Sequence, residues 1–177
     1  MFTRKVKKMR KMKGKVWKFG NNIDTDQIIE AKRVNETNPE KYLMGQTDNK
    51  RFLEYYQKQE NSIKGHIFIA GENFGCGSSR ENALTLMKKV GIAAIVAKSF
   101  ARIYYRNGVA VGFPLVECDY VDEISQGDII EIDLNNRKIY NRTKLQEYEI
   151  HNIPSFIRQI LDAGGIIPYR MKILKGE

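Results

Sequence analysis

The sequence predicts a single α/β domain with a mixed, partly parallel sheet as its core and helices flanking it, on three observations. Short apolar runs at His66–Ala70, Ile92–Ala97 and around Val116 are separated by amphipathic stretches, the strand–helix–strand rhythm of parallel βαβ units. Further on, Ile129–Leu134 and Arg137–Tyr140 flank Asn135-Asn136, a hairpin signal that demands antiparallel neighbours. Finally, 177 residues that are 42% hydrophobic and 29% charged can bury one real core, and they are too apolar for a disordered chain.

The elements follow in order. Lys15–Phe19 alternates in polarity and reads as the first strand, broken by Asn21-Asn22. Asp24-Thr25-Asp26 then precedes the apolar pair Ile28-Ile29. Residues 30–49 are polar, contain Asn38-Pro39, and read as a long loop with at most a short helix; loops of that length in compact domains are often functional. Lys50–Gln59 is expected to be helical, and HIFIA at 66–70 is a strand. Gly71–Ser79 is a glycine-rich loop. Arg80–Val90, with apolar residues at 83, 84, 86, 87 and 90, has helical period. Ile92–Ala97 is a buried strand, and Ser99–Asn107 a helix capped by its serine. Pro154–Ala163 is a last helix, stopped by Gly164-Gly165.

The net charge of +9 is unevenly spread. Residues 1–15 hold eight cations and no acid, which leaves +1 for the remaining 162 residues. The basicity belongs to a tail, so the division expected is a flexible basic extension over residues 1–13 and a folded domain over 14–177, with Met12 opening the segment MKGKVWKFG. Such a tail can bind nucleic acid or acidic lipid by counterion release, but no aromatic residues of the kind that stack on RNA bases are interleaved with its cations. A solvated arm is the plainer reading. No apolar run approaches the roughly 20 residues of a membrane span, and no apolar stretch follows the basic start as in a secretory signal. Two cysteines, Cys76 and Cys118, and two histidines, His66 and His151, offer no metal-ligand spacing and no disulfide framework. A reduced, cytoplasmic setting is expected, with no metal ligated by this chain.

The chemistry concentrates in GENFGCGSSRENAL, residues 71–84. A glycine-rich loop after a strand lets backbone come close to a ligand. The helix it opens offers unpaired N–H groups and the positive end of a dipole to an anion. Arg80 adds a planar cation suited to gripping a carboxylate through two bonds, and Ser78 and Ser79 stand beside it. These parts predict a small acidic substrate with a serine oxygen placed against it. The same residues also suit an ordinary helix cap, Ser78 or Ser79 with an acid in the first turn. No Gly-Lys-Ser/Thr completes a P-loop, and no G-x-G-x-x-G at dinucleotide spacing is present.

This segment resembles the active loop of the aconitase superfamily's mobile small domain, whose pattern runs G-x-x-x-G-x-G-S-S-R-E. Three further segments, GNNIDTDQII at 20–29, AAIVAKSFARIYYRN at 93–107 and GFPLVEC at 112–118, are similar in order to the family of 3-isopropylmalate dehydratase small subunits, so the likeness covers roughly residues 14–170. It implies an aconitase-type swivel domain that closes over an iron–sulfur site. The [4Fe–4S] cluster would be carried by a separate large subunit, in a heterodimer or heterotetramer, with this chain binding none and inactive alone; when isolated it can self-associate into a homo-oligomer. It implies removal and re-addition of water on a small hydroxy dicarboxylic acid, 2-isopropylmalate becoming 3-isopropylmalate through 2-isopropylmaleate, as in leucine biosynthesis. Ser78 matches the family's base, Ser79 and Arg80 its substrate contacts, and Asp26 an acid near the domain interface, although Asp26 also suits a loop cap.

Two positions depart from the family pattern. Asn82 stands where many members carry histidine, one turn into the helix. In the specificity loop, where related chains read R-Y-L-R-T, this one has Arg33, Val34, Asn35, Glu36 and Thr37. The second arginine, which suits a distal carboxylate, is thus replaced by Glu36, and an acid repels such a group. Val34 suits an alkyl side chain. Arg33 is either a substrate cation or a solvated one. The alternatives are a dehydratase for another alkyl-substituted malate or for homoaconitate, and an RNA-binding regulator acting through the tail.

Overall fold

The computed structural model describes residues 11–59, 63–77 and 81–176. The expected flexible arm therefore lies, over residues 1–10, outside the described residues, and so do Ser78, Ser79 and Arg80.

Among the described residues, seven strands form one sheet of order β4-β3-β2-β1-β5-β6-β7. The strands are β1 (Met12–Lys18), β2 (Ile67–Ala70), β3 (Ala94–Ala97), β4 (Leu115–Glu117), β5 (Ile129–Asp133), β6 (Lys138–Asn141) and β7 (Gln146–Glu149). β1 to β4 run parallel, and β5 to β7 are antiparallel. β1 joins the two halves by dividing its length. Met12–Lys15 pairs with β5, and Val16–Lys18 pairs with β2. This explains why the strand starts at Met12 rather than Lys15: its first half is held by an antiparallel partner more than a hundred residues away, so Met12 and Lys13 sit in the sheet and not in an extension.

The helices are α1 (Thr25–Ile28), α2 (Lys50–Lys58), α3 (Glu81–Lys89), α4 (Arg102–Val111), α5 (Ser155–Ala163) and α6 (Ile166–Leu174). Strand residues alternate between two cores, as a period of two requires. Trp17, Phe68, Ala70, Ile95, Ala97 and Leu115 join Phe52 and Tyr56 of α2, Leu84 and Met87 of α3, and Tyr104 of α4. Val16, Ile67, Ile69, Ala94, Val96 and Val116 meet Ile130, Ile132, Ile139 and Tyr148 of the antiparallel half, which curls over the other face. Both faces of the parallel strands are thus buried, and their sequences read as unbroken apolar runs for that reason.

Some elements differ from the sequence reading. The helix expected at Ser99–Asn107 is α4, three residues later. Ser99 does not cap it; its hydroxyl accepts from the Asn73 amide at 2.9 Å, and the cap position, Ala101, makes no side-chain bond. The helix also continues through Gly108 to Val111, capped by left-handed Gly112; a side chain at 108 would strike Leu115, and its absence lets β4 pack closely. β6 starts one residue late, since Arg137 takes a left-handed φ of 53° to close the hairpin. β7 and α6 have no counterpart in the sequence reading. β7 is a polar edge strand, QEYE, and α6 is apolar nearly all round, leaving Ile167, Met171 and Leu174 exposed. Residues 30–49 contain two 3-10 turns, Ala31–Arg33 and Pro39–Tyr42. Among the described residues no helix is long and apolar enough to cross a membrane.

Candidate active site

The glycine-rich loop leaves the carboxyl end of β2, flanked by the carboxyl ends of β1 and β3. Backbone bonds stitch it on both sides. Toward residues 20–25, Gly71 N–H donates to Gly20 O (3.1 Å) and Gly75 N–H to Ile23 O (2.8 Å), while Asn22 N–H donates to Glu72 O (2.8 Å) and Thr25 N–H to Cys76 O (2.9 Å). Toward residues 98–101, Lys98 N–H donates to Gly71 O (3.1 Å), Phe74 N–H to Ser99 O (3.0 Å) and Ala101 N–H to Phe74 O (3.0 Å). Three segments far apart in the chain, 20–29, 71–77 and 98–107, therefore meet at one end of the parallel strands, where ligands of open α/β sheets bind.

Two glycines are forced by this packing. Gly75 has φ +79°, and a Cβ there would lie 2.1 Å from the ring of buried Tyr104. Gly77 has φ +91°, and its Cβ would lie 2.3 Å from Asp24 Oδ2. That close approach places Asp24 beside the residue that precedes Ser78. Asp24 is the N-cap of α1 in a complete capping box with Gln27, and its carboxylate accepts from the Asp26 amide at 2.7 Å. The cap here is Asp24, while the exposed Asp26 accepts from the Ala31 amide at 3.2 Å. The sequence reading passed over Asp24; its signal was the D-x-x-Q spacing of a capping box.

Beyond Ser78, Ser79 and Arg80, the chain re-enters the described structure at Glu81, the first residue of α3. A hollow of about 260 Å³ lies along α3, with Asn82, Thr85 and Leu86 on one wall and Ile29, Val34 and Asn35 on the other. Asn82, the departure on the helix, thus faces the departures in the loop. Asp26 lines a neighbouring open hollow with Asp24, Glu30 and Lys32. Glu36 and Thr37 turn to a third, shared with Asn35 and Tyr42. The four loop residues accordingly divide, Val34 toward α3 and Glu36 and Thr37 away from it. Arg33 is not a free cation. Its Nε lies 3.6 Å from Glu30 Oε2, its Nη1 pairs with Glu36, and its guanidinium carbon sits 4.3 Å above the Tyr42 ring.

Comparison with known proteins agrees with this arrangement. The aconitase C-terminal domain family matches residues 2–117. The chain is 43% identical over 171 residues to the 3-isopropylmalate dehydratase small subunit of Wolinella succinogenes, covering 95% of this chain and 99% of that one. It is 45% identical over 170 residues to the small subunit of Aliarcobacter butzleri, covering 94% and 98%. The crystal structure of 3-isopropylmalate dehydratase from Methanocaldococcus jannaschii superimposes with a TM-score of 0.82 at 38% identity, covering 94% and 98%. The chain belongs to the 3-isopropylmalate dehydratase small-subunit family. Membership makes it a hydro-lyase subunit of the aconitase superfamily, with the α/β swivel fold. These relatives favour neither a homoaconitate enzyme nor an RNA-binding regulator.

For a family within the aconitase superfamily, the fit of an iron–sulfur cluster to this chain's own residues can be asked directly. Cys76 is half-buried in the loop, and burial and the Asp24 carboxylate both raise its thiol pKa. Cys118 is buried in the second core, donates to Glu149 O at 3.3 Å, and burial pushes its pKa up to about 11. Two protonated thiols in separate environments do not make a thiolate cluster site. Among the described residues, no three His, Cys, Asp or Glu side chains gather as metal ligands.

Proposed function

We propose that this chain is the small subunit of an enzyme that isomerises 2-isopropylmalate to 3-isopropylmalate through 2-isopropylmaleate, in leucine biosynthesis in the cytoplasm. The observation that carries the reading is the two-sided stitching of residues 71–77. It holds residues 71–77, the stretch immediately ahead of Ser78 in the sequence, at the meeting point of three segments in a member of this family.

A [4Fe–4S] cluster, when bound by a separate large subunit, would supply Lewis-acid chemistry to the substrate's hydroxyl. This chain supplies the rest. Ser78 takes the proton from the carbon alpha to a carboxylate, and returns one to the alkene when water is re-added. Its alkoxide needs stabilising, which the helix-opening N–H groups and Arg80 provide. Arg80 grips a substrate carboxylate and Ser79 donates to it. Asp26 stands at the side that meets the large subunit. Val34, with Ile29 and Leu86, offers an apolar wall for the alkyl group.

The test is anaerobic hydratase activity of the chain reconstituted with its iron–sulfur large subunit, on 2-isopropylmaleate, cis-aconitate and dimethylmaleate. Turnover of 2-isopropylmaleate that needs this chain and vanishes in Ser78→Ala is expected. A stable complex with an intact cluster that hydrates none of the three acids overturns the reading.

A further inference from the structure

Arg33 lies in a segment expected to touch substrate, yet its side-chain contacts are with residues of that same segment. Besides the Glu30, Glu36 and Tyr42 contacts, its Nε is buried and finds no hydrogen-bond acceptor among the described residues. Its backbone is tied too. Arg33 N–H donates to Glu30 O (2.9 Å), and Glu36 N–H donates to Arg33 O (3.1 Å). The Glu36 carboxylate also accepts from the Tyr42 hydroxyl, and these partners hold it below the usual carboxylate range. The segment from Glu30 to Tyr42 is thus cross-braced by one guanidinium, one aromatic ring and two acids. A planar guanidinium that stacks and forks at once suits this role; an ammonium does not.

The bracing has a steric and an electrostatic result. With Glu36 drawn to Arg33 and Tyr42, the chain between them is turned so that Val34 lines the hollow along α3 while Glu36 and Thr37 line the outer one. The charge on Glu36 is spent on Arg33, so it offers little direct repulsion to a ligand. The charge on Arg33 is equally spent, and Lys89, the cation that lines the hollow from α3, is itself paired with Glu40 at 3.0 Å.

We propose that Arg33 is a positioning residue rather than a substrate ligand, and that its capture by Glu36 makes residues 30–38 a braced, charge-compensated wall that accepts an uncharged side chain and refuses a third carboxylate. The substrate part of this rests on the functional reading above; the bracing part does not. It differs from simple repulsion by Glu36, because here the acid acts by occupying an arginine.

The experiment is a double-mutant comparison in the reconstituted enzyme, with hydrogen exchange on the full chain. Glu36→Gln frees Arg33, and kcat/KM for cis-aconitate relative to 2-isopropylmaleate is expected to rise about tenfold or more, the worth of one charge-assisted bond. Arg33→Met/Glu36→Gln is expected to lose that gain. Arg33→Met alone is expected to raise KM for 2-isopropylmaleate more than it lowers kcat. In the isolated chain, Arg33→Met is expected to speed exchange at the Glu36 amide while residues 94–97 stay protected. A gain that survives in the double variant establishes repulsion and overturns the proposal, and so does unchanged exchange at Glu36. Should the wild-type complex hydrate neither acid, the functional reading fails, and the exchange result still decides whether Arg33 braces the loop.

Discussion

Gly75→Ala tests whether the glycine loop is held in place by side-chain packing or only by its backbone. The position has two separable costs. A non-glycine residue at φ +79° pays for left-handed backbone, about 1–2 kcal/mol. The added Cβ would also stand 2.1 Å from Tyr104 Cγ, well inside contact. Tyr104 has nowhere to go: it is buried, packs edge-on against Phe74 at 5.6 Å, and its hydroxyl donates to Met87 Sδ at 3.7 Å. Overpacking of this kind costs about 1–3 kcal/mol, for a total of about 2–5 kcal/mol. For a domain of this size that is a fall in Tm of about 4–20 °C. Gly127→Ala separates the two terms, since Gly127 has φ +88° and nothing within 4 Å of the position its Cβ would take. It should lose only the backbone term. Urea unfolding of the two variants reads the difference, which is the Tyr104 overlap. Equal losses would show that the ring yields freely, and the claim that α4 fixes the loop ahead of Ser78 would fail.

The histidines should titrate in opposite directions from their ordinary value of 6.5. Burial lowers His66, whose Nδ1 accepts from Trp17 Nε1 at 2.8 Å, while Asp119 and Glu117 raise His151. The His66 contribution to stability is therefore whole above 6.5 and lost as pH falls through its depressed folded value; that of His151 is whole below 6.5 and lost as pH rises through its elevated one. NMR titration checks the order, and fluorescence of the sole tryptophan should change with His66; His66 titrating above His151 would contradict both assignments. In thiol labelling, Cys76 should react faster as pH rises toward its elevated pKa, and Cys118 only after denaturant is added; two equally fast thiols in the native chain would refute the burial argument. Removing residues 1–14 should destabilise the domain more than removing 1–10, because only the longer cut takes Met12, Lys13 and Gly14 from their partners on β5; identical Tm values would mean that this half of β1 contributes nothing.

Much of the parallel half was legible because its signals are local. An apolar run buried on both faces reads the same whichever neighbour it pairs with, so β2, β3 and β4 could be found without knowing the sheet order. The Asn135-Asn136 hairpin was legible from its turn. What the sequence hid depends on contacts across the chain. The start of β1 is fixed by β5, the length of α4 by Leu115 against Gly108, and Ser99 by an amide on a different loop. β7 hides because an edge strand with a polar sequence carries no alternation. In the site, the glycine loop was legible as a motif, and the structure sets Val34 and Asn35 beside Asn82. The pairing of Arg33 with Glu36 was open to an i,i+3 reading, but whether that pair forms depends on the Tyr42 ring beneath it, nine residues on.

The two walls of the site are therefore held by different forces, and this bears on how its selectivity is set. Residues 71–77 are fixed by main-chain bonds to two neighbouring segments and by glycines that leave no room for side chains. A side chain at Gly71, Gly75 or Gly77 displaces the chain ahead of Ser78. Residues 30–38 have main-chain bonds only within 30–41, among the described residues, and are braced by side chains, chiefly one arginine, two acids and a tyrosine on the periphery. Exchanging those side chains can redirect Val34, or free a cation, while the bonds that hold residues 71–77 remain intact. A fold arranged in this way can change which substituent it accepts at one wall and keep the proton chemistry proposed for Ser78 at the other. Altered selectivity is accordingly expected from variants of 33–37 that leave the stability of the β1–β3 platform unchanged, and loss of turnover for every acid from variants of the glycine loop.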